Sequence, residues 1–321
     1  VDPNECTGNT CLLNAAVCGS SEDTINVILQ SQANLDFQDG DGVTPLISAV
    51  RANRSSVAKT LLAAGANPNI TDKDGFGPLH YYFLLENTEM IQIFVQHSVD
   101  INLVSRGITK RDTNQVTALF VAANEGLEMQ ARHLLEFGAD PNIPNEESLT
   151  PLGNAAWQGN LRMCKLLLAF RANINALNTN GATALFLAIQ REKWSIMEFL
   201  IEKGAQTDIP DYSGWTPLMW ASARGNNMVV QYILEKGRAN PNQKTILGCT
   251  AAHCAAYHKF PAVLKFLVDN GADMTSLDKQ GKSPEDIMLG VSDTDGASAS
   301  DGGLSTKLHS GLRLDVDDVE E

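Results

Sequence analysis

Cys249, His253, Cys254 and His258 are the residues best suited by type to chemistry, because Cys and His four positions apart on one helix face can reach a single zinc ion. They also contain a Cys–His pair of the nucleophilic kind, yet no acid to orient the histidine and no oxyanion donor can be assigned beside it. The stretch Asp36-Phe37-Gln38-Asp39-Gly40-Asp41-Gly42 has the composition of a calcium loop without its spacing. Its acids do not fall at alternate ligand positions, and no Glu closes the loop at the twelfth. No glycine-rich phosphate loop is present. The sequence therefore offers no catalytic site, and a metal site only if the segment around His253 is not committed to another role.

That role is set by the elements that carry these residues. Gly214-Trp215-Thr216-Pro217-Leu218-Met219-Trp220-Ala221-Ser222-Ala223-Arg224-Gly225-Asn226 holds a complete local instruction. Thr216 is suited to cap a helix, since its hydroxyl can accept from a free N–H of the first turn, and Pro217 sits where its missing N–H is no loss. Leu218, Ala221 and Ser222 share one face, and Gly225 stops the short helix. A second helix follows, with Met228, Val229, Tyr232, Ile233 and Leu234 as its apolar face and Gly237 at its end.

The pattern repeats. Aligned on Thr216, the anchors are Thr10, Thr44, Gly77, Thr117, Thr150, Thr183, Thr216, Thr250 and Ser283, at intervals of 34, 33, 40, 33, 33, 33, 34 and 33 residues. Thr44-Pro45-Leu46, Gly77-Pro78-Leu79-His80, Thr150-Pro151-Leu152 and Ser283-Pro284 recur at unit starts, and Ala64-Gly65-Ala66-Asn67-Pro68-Asn69 and Phe137-Gly138-Ala139-Asp140-Pro141-Asn142 at unit ends. Over nearly the whole chain this resembles the ankyrin repeat. The resemblance implies an all-α solenoid of stacked helix–turn–helix units with β-hairpin-like finger loops: about eight repeats and a C-terminal capping half-repeat. A single unit buries too little to stand alone, so stability is expected to be a sum of nearest-neighbour terms. The expected layout is a lead-in over 1–7, the repeat domain over 8–290 and an acidic tail over 291–321.

Three features depart from the plain repeat. The interval of 40 marks an insertion of about seven residues within Val104–Asn114, which brings Arg106, Lys110 and Arg111 to one finger. The last unit, Ser283-Pro284-Glu285-Asp286-Ile287-Met288-Leu289, carries acids where inner units are apolar, and its helix is predicted to end near Gly290. Beyond Val291 the Ser/Gly/Asp/Ala composition predicts a disordered linker that ends in a short motif, where Leu312, Leu314 and Val316 alternate with charged residues.

Composition narrows the partners. Of 321 residues, 43% are hydrophobic, but no run of about 18 apolar residues could cross a bilayer. No signal peptide is visible, and the sequence opens on Val1 rather than Met. A net charge of −14 disfavours nucleic acid, which requires clustered Lys and Arg. Part of that acidity is local, with eight acids against Lys307 and Arg313 between Asp293 and Glu321. Six cysteines lack the spacing of a secreted disulfide framework and point to a reducing compartment, the cytoplasm, with the nucleus left open.

In repeat register His253 matches His80, a position whose side chain, by the resemblance, hydrogen-bonds within the loop network; no metal and no cofactor is expected. Function should then lie where the scaffold does not dictate the residue: the finger tips and the ends of the first helices, which line the concave groove of this family. There the sequence places Phe76, Trp157, Tyr212, Trp215 and Tyr257 with Arg191 and Arg224, residue types typical of binding hot spots. Trp220 and Tyr81 share one helix position that is more often buried. The expectation is a non-enzymatic interaction module that holds a protein or peptide segment through apolar anchors, with the arginines pairing acidic groups. Three alternatives stand beside it: a recognition or regulatory part of a larger enzyme, the same part in a ubiquitin ligase complex, and occupation of the groove by the chain's own tail, in cis or between molecules. Leu134, Asp140, Pro141 and Asn142 also resemble the pattern around ankyrin asparagines hydroxylated by a cytosolic oxygenase, which marks Asn142 as a modification candidate.

Overall fold

The computed structural model describes residues 6–7, 10–11, 22–30, 33–84, 89–105 and 115–290. They fall in two compact units, Val1–Ala205 and Gln206–Glu321. The first contains strands β1 (Cys6–Thr7) and β2 (Thr10–Cys11), helix α1 (Glu22–Gln30), and five helix pairs. The first four pairs are α2 (Pro45–Arg51) with α3 (Ser55–Ala63), a 3-10 helix (Pro78–Leu84) with α4 (Glu89–Gln96), α5 (Ala118–Asn124) with α6 (Glu128–Glu136), and α7 (Pro151–Gln158) with α8 (Leu161–Ala169). A fifth pair, α9 (Ala184–Gln190) with α10 (Trp194–Glu202), completes it. The second unit holds α11 (Pro217–Ala223) with α12 (Asn227–Glu235), α13 (Ala251–Tyr257) with α14 (Pro261–Asp269), and the closing α15 (Pro284–Leu289).

Within each unit first helices pack on first helices and second on second. The order is α2, the 3-10 helix, α5, α7 and α9 in the first unit, and α11, α13 and α15 in the second. The residues explain why. Leu46, Leu79, Leu119, Leu152, Leu185 and Leu218, two positions after each anchor, are completely buried. Ala49, Ala122, Ala155, Ala188, Ala221 and Ala255, five positions after it, are buried too, and their small side chains let neighbouring backbones approach. The caps form as read: Thr44, Thr117, Thr150, Thr183 and Thr216 each accept from the third helical N–H at 3.2 Å. Each such cap contributes about 1 kcal/mol.

Two units depart from the template for local reasons. Gly77 has no hydroxyl, so the N–H of His80 turns to the Gly77 carbonyl at 3.0 Å, an i→i+3 bond, and the segment becomes a 3-10 helix. Tyr82 there replaces the alanine of the other repeats. At Thr10, where the repeat would begin a helix, Thr10–Cys11 is instead a strand antiparallel to Cys6–Thr7, with Cys6 opposite Cys11 and Thr7 opposite Thr10. At the far end α15 stops at Leu289, with Gly290 left-handed at φ 65°, as the sequence predicts.

The fingers share a device that the repeat text alone left unnoticed. Five positions before the anchor stands Asp39, Asp72, Asn145, Asn178, Asp211 or Asp278, whose Oδ1 accepts the N–H groups two and four residues on; Thr245 does the same with its hydroxyl. Adjacent fingers are then tied backbone to backbone, Lys73 N–H to Asp41 and Thr179 N–H to Glu147 in the first unit, Ile246 N–H to Ser213 and Lys279 N–H to Leu247 in the second. The insertion keeps this base: Ser105 N–H donates to the Val116 carbonyl at 2.9 Å and Val116 N–H to Ser105 Oγ at 3.0 Å. Arg106, Lys110 and Arg111 lie outside the described residues.

His80 and His253 bridge successive fingers. His80 Nδ1 accepts from Gly77 N–H while Nε2 meets the Val116 carbonyl at 3.0 Å; His253 Nδ1 accepts from Thr250 and Nε2 meets the Lys282 carbonyl at 3.1 Å. An acceptor role at Nδ1 and a carbonyl at Nε2 fix the neutral, Nε2-protonated ring. Burial pushes both histidines below their usual 6.5, outweighing the carbonyl bonds and nearby aspartates that pull the other way. The unfolded chain thus takes protons first on acidification. Stability is full above about pH 6.5 and declines as pH falls below it toward the folded-state values, with a slope of at most about 1.4 kcal/mol per pH unit for each ring. Urea melts between pH 7.5 and 5.5 should show this decline, and a chain carrying His80→Gln and His253→Gln should lose most of it; an unchanged slope in the variant would contradict the assignment.

Candidate functional site

In the first unit the end of α7 meets the end of α9. Trp157 is half-buried, and the guanidinium of the exposed Arg191 lies 3.9 Å from the centre of its ring. Both residues follow from repeat register, because the penultimate residue of one first helix and the C-cap of a neighbouring one come side by side. A guanidinium over an indole is held by the ring's negative face and keeps N–H donors that suit a carboxylate. Beside it, Asn154 and Gln158 donate to Asn124 Oδ1 at 3.2 and 2.8 Å, an amide network that continues the same row of helix ends.

Phe76 lies apart from this pair. Its ring is half-buried and packs edge-on against His80 and Tyr81, with centroids 5.4 and 5.9 Å away. Tyr81 donates to Asp72 Oδ2 at 2.6 Å, and Arg51 covers its ring at 5.3 Å. Burial and Asp72 raise the Tyr81 pKa far above the ordinary phenol range.

In the second unit Tyr212 is 70% exposed at a finger tip and Ile246, on the next finger, 60%. Trp215, half-buried, packs edge-on against Trp220 at 6.3 Å, and Arg224 lies 5.5 Å from the Trp220 ring. Trp220 itself is 7% exposed and serves as the floor of this cluster. Tyr257 is 40% exposed, at the end of α13, and packs edge-on against His258. Phe76 and the Trp157–Arg191 pair therefore stand in the first unit, and Tyr212, Trp215, Arg224 and Tyr257 in the second. Register suggested the positions; the covering of Trp157, Tyr81 and Trp220 by arginines was not foreseen, although an arginine seven or eight positions after an anchor was its visible sign.

The thiols and histidines of α13 do not converge on an ion. His253 is bound at both nitrogens, Cys254 is buried, and His258 stacks on Phe260 at 6.2 Å. Burial raises the pKa of Cys249 and Cys254, with Asp278 adding to it at Cys249 and Cys249 adding to it at Cys254, which keeps both thiols protonated. Among the described residues no three His, Cys, Asp or Glu side chains gather as a metal set.

Asn142 belongs to a second recurring ladder. Its N–H donates to Asp140 Oδ1 at 2.8 Å, and its own Oδ1 accepts from Asn173 N–H in the next repeat at 2.6 Å. Asn69 Oδ1 holds Asp100 N–H and Asn242 Oδ1 holds Asp273 N–H in the same way. Asn142→Ala should cost about 1 kcal/mol by freeing Asn173 N–H, measurable as a lower urea midpoint. Leu312, Leu314 and Val316 lie outside the described residues.

A family profile described as "Ankyrin repeats (3 copies)" matches residues 1–72, 64–145, 119–211, 152–245 and 195–278. The chain belongs to the ankyrin repeat family. Among curated proteins it is similar to the transient receptor potential channel pyrexia of Drosophila melanogaster, 32% identical over 152 residues, which is 47% of this chain and 15% of the channel. It is also similar to human SH3 and multiple ankyrin repeat domains protein 2, 30% identical over 46% of this chain and 8% of that protein. The human transient receptor potential cation channel subfamily A member 1 matches at 32% over 39% of the chain and 11% of the channel. The ankyrin array thus spans a small part of the length of these relatives. No described helix is long and apolar enough to cross a membrane. Ankyrin arrays are protein-interaction modules.

Proposed function

We propose that this ankyrin array works without chemistry of its own, holding an extended protein segment against the first-helix ends and finger tips. Trp157 and Arg191 are its anchors in the first unit, with Phe76 accessory. Tyr212, Trp215, Arg224 and Tyr257 form a second set. The observation that carries this reading is the Arg191 guanidinium stacked 3.9 Å over Trp157 while remaining exposed: a pre-oriented, partly desolvated cation is ready for a carboxylate at little ordering cost. The partner is an acid-bearing peptide segment with apolar side chains alternating between the anchors.

Arg191→Lys tests this, since lysine keeps the charge and loses the planar stack and the two-pronged edge. Affinity for an acid-bearing segment should fall about tenfold, while a segment with its acids changed to amides should bind both proteins alike. Equal losses for the two segments would contradict the pairing. The same titration with the chain truncated after Gly290 measures the tail: tighter binding means that Leu312, Leu314 and Val316 compete for these anchors, and unaltered binding removes that role. Hydroxylation of Asn142 would be read as one added oxygen on its peptide from cells that hold the oxygenase, and an unmodified peptide there excludes it.

The small share of each relative that is matched favours a second reading, in which the array is the recognition part of a longer protein; the full gene product decides between them.

A further inference from the structure

The helix that closes the second unit leaves open the positions that the complete repeats bury. Counted from the anchor Ser283, Met288 and Leu289 stand at the fifth and sixth positions and are 41 and 75% exposed. In the two repeats before it the fifth position is Ala221 or Ala255 and the sixth is Ser222 or Ala256, and all four are buried. The second helices show the same break. Val268, eighteen positions after Thr250, is 47% exposed, whereas Leu234, eighteen after Thr216, is 6% exposed on a helix that packs against α14.

Terminal units of a solenoid ordinarily turn a polar face outward. α15 does so only at its start, where Asp286 Oδ2 accepts from the Ser283 N–H at 2.9 Å and from its Oγ at 2.6 Å and where Glu285 is exposed. Its last turn is apolar and open.

The repeats themselves say what closes such positions. Each first helix of the second unit before α15 is followed by a second helix that turns one aliphatic stripe inward: Val229, Val230, Ile233 and Leu234 on α12, and Val263, Leu264 and Leu267 on α14. The stripe falls at i, i+1, i+4 and i+5, one side of a helix. Among the described residues no second helix follows α15, so none extends the row that α12 and α14 begin.

We propose that this end of the array docks an amphipathic α-helix of the second-helix type, with aliphatic side chains at i, i+1, i+4 and i+5, which closes over Met288, Leu289 and Val268 and continues the α12–α14 row. The surface uses none of the anchors proposed for the extended segment. Its ligand is recognised by helical periodicity, where theirs is recognised by its acids.

The probe is a fluorescent peptide of residues 260–271, the sequence of α14 itself, held helical by a lactam between Lys265 and Asp269, which are exposed and four positions apart. Its control has the same composition with the four aliphatic residues distributed around the helix. Anisotropy titration of the full chain should show saturable binding of the probe and binding of the control about tenfold or more weaker. A chain carrying Leu289→Gln and Val268→Gln should lose at least as much, with its helical circular dichroism unchanged because both side chains lie on the outside. The Trp157/Trp215 double substitution should bind the probe as wild type does, which separates this surface from the proposed anchors. Equal affinity for probe and control, or for wild type and the glutamine variant, would overturn the proposal. No binding by wild type would overturn it too: sedimentation of a dimer that the glutamine variant dissolves would assign the end to a second copy, and binding regained by Leu312→Asp with Leu314→Asp would assign it to the chain's own tail.

Discussion

Trp157→Ala combined with Trp215→Ala lowers capture of an extended protein segment by a hundredfold or more, while the helical circular dichroism signal stays. The size follows from the character of the two residues. Each indole is half-buried on its own unit and keeps part of its ring open to a partner, and truncating such an anchor commonly costs about 2 kcal/mol or more. Two of them, acting independently, amount to roughly 4 kcal/mol, or about three orders of magnitude in affinity. Loss of Trp157 also strips Arg191 of its platform, so the cation would have to be ordered anew for each binding event. The frame survives because neither ring belongs to the leucine–alanine core, although loss of the Trp215–Trp220 pair costs the second unit about 1 kcal/mol. Calorimetry at a temperature where both proteins are folded reads the effect. Capture within threefold of wild type would remove these residues from the site.

Gly214→Ala destabilises the second unit by about 2–4 kcal/mol, a large effect for one methyl group on the surface. Gly214 sits at φ 80°, and a Cβ there would lie 2.8 Å from Thr245 Cα and 2.9 Å from Ile246 N, backbone atoms of the next finger. The left-handed conformation costs alanine about 1–2 kcal/mol, and the clash with a backbone already tied by Ile246 N–H to Ser213 adds about as much again. The first unit supplies the converse. Ser148, in the same finger position, is held at φ 54°, and Ser148→Gly should stabilise by about 0.5 kcal/mol once glycine's greater chain entropy is subtracted. Urea unfolding of both variants checks the pair. A Gly214→Ala midpoint equal to wild type would mean that the fingers are not the rigid stack that their hydrogen bonds describe.

What could be read from the sequence was whatever repeats. Thr216, Pro217 and Leu218 fixed the caps and the buried row because the same types recur at one spacing, and a spacing of 33 residues has few structural meanings. The aspartates and asparagines five positions before each anchor recur just as strictly, yet they resemble ordinary turn residues until their N–H partners are known. Where the text broke, prediction broke with it. Gly77 lacks the hydroxyl that would have held an α-helical first turn, and Thr10–Cys11 pairs with Cys6–Thr7 rather than opening a helix. For the candidate binding residues, register located Trp157, Arg191 and Arg224 but not the covering of the rings by arginines, since a cation over a ring depends on rotamers that sequence spacing does not contain. The reading of His253 as a loop-bridging residue rather than a ligand did follow from register, because His80 in the same place faces the same kind of carbonyl.

The most direct measurement is site-specific photo-crosslinking of the full chain to its partner, with the reactive group placed in turn at Gln158 and Ile246, beside the proposed anchors, and at Met129 and Met228, exposed on second helices. Gln158 and Ile246 should each link to the partner, both links should vanish with the Trp157/Trp215 double substitution, and Met129 and Met228 should give none. Links from Met129 or Met228 that persist in the double variant would place the partner on the second helices and contradict the proposed site.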